Sequence, residues 1–316
     1  MMKNDTALAV LRLLLSGESS GQRIADRLGV TRMAVSKAVK RLNEHGVRVE
    51  AHGKGGYTLL GEDGSYNAYT LQMLLHQEGA GSLNVLFEES VCSTNALAKS
   101  ADMQVDFIVS KRQTAGRGRL ERSFSSEEGG IYLSMIARPV GKTVEAIPFT
   151  VIAAGVAVRE VLKLFGVDAS IKWVNDVKVN GKKVCGILSE AVTEGQMLSR
   201  VVVGVGLNVN NTLPDELQSV AASLTEYRLK LPLVAARLMR CLLQRVNEAL
   251  RGETAEILSL YREGCETLGQ TVTVQSPDGT RFEAVARGIN EGGVLLVERE
   301  GEVIPLYVGE IVSRRQ

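Results

Sequence analysis

Residues 111 to 119 read Lys-Arg-Gln-Thr-Ala-Gly-Arg-Gly-Arg, directly after the β-rich run Phe107-Ile108-Val109-Ser110. Glycine lets a backbone N–H come close to a ligand. Arginine offers a fixed, permanently charged fork that matches carboxylate and phosphate oxygens. Gly116, Arg117, Gly118 and Arg119 therefore make a loop suited to covering an anion. An isolated loop of this kind is equally a solvated basic turn, so the segments that accompany it decide between the two.

Four further segments fit an active site around this loop. Ser93-Thr94-Asn95 opens an apolar-periodic stretch after the strand-like Val85 to Glu88, where hydroxyl and amide groups serve either as an N-cap or as anchors for polar ligand atoms. Lys172-Trp173-Val174-Asn175-Asp176 ends one strand, and Gly181-Lys182-Lys183 leads into the apolar strand Val184 to Leu188. A lysine, an amide and a carboxylate at adjacent strand ends suit a nucleotide with Mg²⁺. Asp176 would hold the metal directly or through water, and Lys172 or Lys183 would counter phosphate charge. The Asn180-Gly181 pair also marks a hairpin turn, which is compatible with that reading. Gly204-Val205-Gly206-Leu207-Asn208 follows a run of valines but places Val209 where a dinucleotide fingerprint needs its third glycine. Gly141-Lys142-Thr143 is no P-loop either, because Ile136 stands at its first glycine position. No Ser-His-Asp triad or activated cysteine is apparent.

The elements that must position these residues fall into three segments: 1–64, 65–267 and 268–316. In the first, Leu8, Leu11, Leu14 and Leu15 recur at helical spacing, Ile24, Ala25 and Leu28 mark a second helix ending at Gly29, and Thr31 caps a third carrying Val35, Val39 and Leu42 inward. Alternation then takes over on either side of Gly53-Lys54-Gly55-Gly56, giving a winged helix-turn-helix order. The third helix leaves Arg32, Ser36, Lys37 and Lys40 outward, with Lys54 at the hairpin tip. Residues 31 to 54 hold six basic side chains against two acidic ones, a local excess that suits phosphate contact. A solvated face in a module that binds no DNA fits the same pattern. Gly61 to Ser65 has linker composition. Beyond it strands alternate with the long helices Thr150 to Phe165 and Leu233 to Leu250, an α+β fold with a mixed α/β central domain. The tail from Gln270 to Arg314 reads as short strands with turns at Pro277-Asp278-Gly279 and Glu291-Gly292-Gly293, the size of an SH3-like β-barrel.

The chain has 316 residues, 45% hydrophobic content and a formal net charge of +1, so no global field recruits nucleic acid and any such binding must be local. Cys92, Cys185, Cys241 and Cys265 show no zinc spacing, nor do His45, His52 and His76, so reduced thiols, a cytoplasmic location and no protein-only metal site are expected. The apolar run Ala7 to Leu15 is short and broken by Arg12, which argues against a signal or membrane segment.

Gln113 to Arg119, Lys172 to Asp176, Lys183-Val184-Cys185-Gly186-Ile187-Leu188 and Gly204 to Asn208 resemble the biotin protein ligases, in family order. With the winged helix in front, the whole chain resembles the bifunctional ligases that double as biotin operon repressors. The resemblance implies a class II synthetase-like catalytic domain and a two-step acyl transfer from biotin and MgATP through biotinoyl-AMP to a lysine of a carboxylase carrier protein. It implies that Ser93, Thr94, Asn95 and Gln113 hold the ureido head, and that Gly116, Arg117, Gly118 and Arg119 cover the intermediate. Lys183 and Arg119 would be catalytic, Lys183 meeting the biotin carboxylate and the reacting phosphate. Lys172, Asn175, Asp176 and Asn208 would serve ATP. Operator DNA and, with adduct bound, a second copy of the chain are the implied partners. A ligase whose winged helix no longer represses, and a ligand-sensing transcription factor without turnover, are the alternatives. Glu121, Phe124 and Val174 depart from the family pattern, in which the loop runs on through arginines to a tryptophan and a proline often replaces Val174.

Overall fold

The computed structural model describes residues 5–100, 104–139, 141, 146–194, 197–275, 280–306 and 310–312, without the side chains of Lys54, Glu121, Glu194, Glu310 and Val312. The Lys54 and Glu121 side chains, Lys142-Thr143 and the Pro277-Asp278-Gly279 turn thus lie outside the described residues.

Three helices and a hairpin make the N-terminal part: α1 (Thr6–Leu15), α2 (Gly21–Leu28), α3 (Arg32–Glu44), β1 (Val47–Ala51) and β2 (Tyr57–Glu62). Thr31 caps α3 as expected, its Oγ1 accepting from the Ala34 N–H at 3.2 Å. Gly29 closes α2 in the left-handed region at φ 64°. Val10, Leu11, Ile24, Val35, Val39 and Leu42 pack into one cluster. The expected linker is not loose. Gly61 and Glu62 belong to β2, and the Asp63 N–H donates to the Gly46 carbonyl at 2.9 Å.

The helix that follows, α4 (Ala68–Gln77), was not expected from the sequence. Seven consecutive residues, Tyr69 to Leu75, are buried, so its pattern shows no amphipathic stripe. Tyr69 and Met73 enter the N-terminal cluster, while Leu71, Leu74 and Leu75 enter the central one. Arg12 of α1 donates to Gln72 Oε1 at 3.0 Å and 3.1 Å, fastening the same joint.

The central part is a seven-stranded sheet in the order β3-β4-β5-β9-β8-β7-β6. Its strands are β3 (Val85–Val91), β4 (Phe107–Gln113), β5 (Ile131–Ala137), β6 (Ser170–Lys172), β7 (Asp176–Val179), β8 (Lys182–Glu194) and β9 (Met197–Leu207). Among the described strand pairs of this sheet, β3–β4 is parallel and the others are antiparallel. Side chains alternate between the two faces of a strand. One face carries Phe107, Val109, Leu133, Met135, Val201, Val203 and Val205 into the main core with α6 (Ile147–Leu164) and α7 (Leu231–Arg251). The other carries Ile108, Ile136 and Val202 against Ala98 of the short helix α5 (Thr94–Ser100). α8 (Ala255–Gly264) packs on α6 and leads to the tail.

Where the sequence predicts an SH3-like barrel, the described residues form a five-stranded antiparallel sheet. It comprises β10 (Thr271–Gln275), β11 (Arg281–Ile289), β12 (Leu295–Arg299), β13 (Glu302–Leu306) and β14 (Glu310–Val312), with β13 and β14 outermost. It docks on α6 through Gly293, where a Cβ would lie 2.6 Å from Ile152 Cδ1.

Candidate active site

A cavity of about 330 Å³ opens on the α5 face of the central sheet, and its wall joins residues from β4, β5, β6, β7, β8, β9 and α5 with Ile311 of β14. The floor is hollow because the alternation puts glycine there. Gly186 and Gly206 are paired across β8 and β9, and Gly204 is paired with Leu188. A Cβ at Gly206 would stand 2.5 Å from the Phe124 ring, and one at Gly204 would overlap the Asn95 amide. Gly204-x-Gly206 thus shapes a floor, not a phosphate turn.

The Gly-Arg loop is a narrow hairpin stitched to the sheet. The Thr114 and Ala115 N–H groups donate to the Val91 and Cys92 carbonyls at 2.9 Å and 2.8 Å. Gly118 N–H donates to Arg122 O at 2.7 Å, and Phe124 N–H to Gly116 O at 2.9 Å. Gly116 itself lies under the loop, where a Cβ would overlap the Phe124 carbonyl, so it serves closure and does not line the cavity. Arg117, Gly118 and Arg119 do line it, as do Arg122, Ser123 and Phe124 further along the loop.

At one end the cavity is polar and hydrogen-bonded. Ser93, Thr94 and Asn95 are buried, as is Ser134 beneath them. Gln113 Oε1 accepts from the Thr94 N–H at 2.8 Å, and Gln113 Nε2 donates to Ser126 Oγ at 2.9 Å. Asn95 differs from the expected ureido ligand. Its Nδ2 donates to Leu188 O at 3.2 Å and Glu190 Oε2 at 2.8 Å, and its Oδ1 accepts from Ser134 at 2.6 Å. The amide is engaged by the protein on both sides.

The other end is cationic. Lys172, Asn175, Asp176 and Lys183 share its wall. Lys183 Nζ lies 2.7 Å from Asp176 Oδ1 and 5.8 Å from the Phe124 ring centroid. Asn175 is held by donation to Ile187 O at 3.0 Å. Burial pulls the Lys172 ammonium below the ordinary lysine range, the neighbouring Lys178 and Lys183 add to the shift, and Asp176 opposes it. Asn208 is not brought to this wall: it is buried, and its Oδ1 accepts from Asn211 Nδ2 at 3.1 Å.

On the N-terminal part, Arg32, Ser36, Lys37 and Lys40 of α3 are all exposed, as the helical spacing predicts. Arg122, Ser123, Phe124, Leu133 and Ile311 border the cavity, and Ser134 and Glu190 support it from beneath, without having been selected by sequence reasoning. Phe124 had a signal, its position in the loop where the family carries an aromatic residue. Ser134 and Glu190 had none beyond their strand parity.

Residues 89–208 match the biotin/lipoate A/B protein ligase family, residues 6–58 an HTH domain, and residues 267–314 the biotin protein ligase C terminal domain. The bifunctional ligase/repressor BirA of Bacillus subtilis is 32% identical over 92% of this chain and 93% of its own length. That of Escherichia coli is 30% identical over 99% of both chains. The biotin protein ligase of Aquifex aeolicus, solved in complex with biotin and ATP, superposes with a TM-score of 0.64 at 26% identity, covering 74% of this chain and 99% of that one. This chain belongs to the family of bifunctional biotin ligase/repressors.

Proposed function

We propose that this protein is an ATP-dependent biotin protein ligase that also represses transcription of biotin genes in response to its own reaction intermediate. One observation carries the enzymatic reading: a buried cluster of hydroxyl and amide groups and a set of five cationic side chains, Arg117, Arg119, Arg122, Lys172 and Lys183, border a single cavity. Biotin has the complementary shape, with a neutral ureido head and a carboxylate at the far end of its chain. Ser93, Thr94 and Gln113 would take the head, and Lys183 would meet the carboxylate.

The reaction joins two anions. A carboxylate oxygen attacks the α-phosphorus of ATP and the bond to pyrophosphate breaks, giving biotinoyl-AMP. An amine of a carrier-protein lysine then attacks the acyl carbon and AMP departs. Fixed cations lower the repulsion most where water is scarce, because they need no reorganisation as charge shifts. Lys183 and Arg119 are suited to that work, and Lys172 and Asn175 to the polyphosphate. Asp176 is the sole carboxylate among the described lining residues. A single carboxylate suits a Mg²⁺ that arrives on ATP and keeps its phosphate and water ligands. The hairpin from Gly116 to Phe124 would shield the mixed anhydride from hydrolysis.

The same proposal divides the chain at 64/65 and 267/268 and gives α3 the major groove, with Arg32, Ser36, Lys37, Lys40 and Lys54 toward DNA. An operator of two half-sites requires two copies, so a homodimer favoured by bound adduct belongs to the reading. The test uses the purified full chain with biotin, MgATP and a carrier domain. Pyrophosphate release and a biotin-labelled carrier are expected, as is a gel shift of the DNA upstream of biotin genes that strengthens with biotinoyl-AMP. Absence of pyrophosphate release overturns the enzyme, and absence of the shift overturns the repressor.

A further inference from the structure

We propose that Glu190 and Lys99 are positioning residues that set the hydrogen-bond polarity of the ligand pocket through Asn95 and Ser134, making Thr94 an acceptor toward the ureido head. This deepens the biotin reading and rests on it.

The protons available to these groups fix that polarity. Lys99 Nζ lies 2.6 Å from Glu190 Oε1, and the other oxygen, Oε2, accepts from Asn95 Nδ2 at 2.8 Å. Leu188 O accepts from the same Nδ2 at 3.2 Å. A carboxylate and a backbone carbonyl have nothing to donate, so the amino end of Asn95 must face them and its oxygen must face Ser134. Asn95 Oδ1 then takes the single Ser134 proton across 2.6 Å. Ser134 Oγ is also 2.8 Å from Thr94 Oγ1, and having given its proton away it accepts there from Thr94. Gln113 Oε1 accepts the Thr94 N–H at 2.8 Å and also lies 3.1 Å from Thr94 Oγ1, but a hydroxyl proton sent there would leave the shorter Thr94–Ser134 contact with no hydrogen in it. The Thr94 hydroxyl is left with its proton turned inward and lone-pair density for the cavity that it lines. A ureido N–H is the donor such an oxygen matches, and an oxygen or a methylated nitrogen is not.

Glu190 is built to stay ionised in this role. Burial raises its pKa, but the hydrogen bonds from Lys99 and Asn95, with the field of Arg117, outweigh that and hold the carboxyl below the ordinary glutamate range. Glu190 faces the network from β8, Asn95 and Lys99 from α5, and Ser134 from β5. Three elements thus converge on one proton arrangement. Asn95 packs its amide against Gly204, where any Cβ would overlap it, and the acceptors Leu188 O and Glu190 Oε2 fix which end carries the hydrogens.

The test compares Glu190→Gln and Lys99→Met with the native full chain, using calorimetric binding of biotin, of biotin methylated on one ureido nitrogen, and of ATP. In the native protein, methylation is expected to weaken binding about tenfold or more, the worth of one buried hydrogen bond. In Glu190→Gln, whose amide can turn a donor toward Asn95, biotin binding is expected to weaken about tenfold. The biotin-to-methylbiotin ratio should shrink at least threefold and ATP affinity should change less than twofold. Lys99→Met, at a half-exposed position, is expected to shift the ratio the same way by a smaller factor, and decides the matter if Glu190→Gln does not fold. An unchanged ratio in the folded variants, or equal losses for biotin and ATP, overturns the relay. A native chain that binds no biotin overturns the ligase reading instead.

Discussion

The two faces of the central sheet are cut from the same strands and yet do opposite work. On β9, Val201, Val203 and Val205 fill the core beneath α6 and α7, while Gly204 and Gly206, one step out of phase, leave the hollow where Phe124 and Asn95 lie. On β5, Leu133 and Met135 go to the core, and Ser134 faces the other way to bond Thr94 and Asn95. Rigidity comes from one parity of residues and chemistry from the other. The lesson is that a strand of valines interrupted by glycines need not be a phosphate loop; it can be a packed wall with a vacant side.

Three changes probe that division, in order of decreasing effect. Lys183→Ala removes a cation from the hollow face and should cut pyrophosphate release about 100- to 1,000-fold, with the melting temperature nearly unchanged; a parallel loss of stability would blur the two faces. Val203→Ala strikes the packed face and should cost about 2 kcal/mol in denaturant unfolding, while biotin affinity of the folded fraction stays native. The smallest effect is a pH dependence. Because burial disfavours the Lys172 ammonium, its charge is lost at lower pH than an ordinary lysine's, and ATP affinity should decline as pH rises through that point. Lys172→Arg should postpone the decline, read by titration calorimetry at successive pH values up to the ordinary lysine range. The stability sign is opposite: the buried charge costs stability at lower pH, and that cost is relieved as pH climbs from the folded pKa toward the unfolded one.

Much of this was legible in residue order. The capping of α3 by Thr31, its inward Val35, Val39 and Leu42, and the strands that end at the Lys172 and Lys183 motifs follow from spacing and turn residues. Eleven expected site residues, from Ser93 through Arg119 to Lys183, border the cavity together. What escaped was set by tertiary contact. α4 is buried on all sides between two cores, which erases the periodicity that announces a helix. Ser134 and Glu190 stand in ordinary strand sequence and acquire meaning only from Asn95 across the sheet. Asn208 carries the right motif but sits buried beside Asn211, off the cavity wall. The composition of Gly61 to Ser65 suggested slack, whereas the Gly46 carbonyl ties that segment down.

The double allegiance of α4 has an engineering corollary. Tyr69 and Met73 lie in one core and Leu71, Leu74 and Leu75 in the other, so the seam between DNA-reading head and ligase runs lengthwise through a single helix. No scissors at residue 64 can separate the halves cleanly. A chimera that transplants the head must either carry this helix along, stripping the ligase of its leucines, or redesign the helix face that the new neighbour will touch.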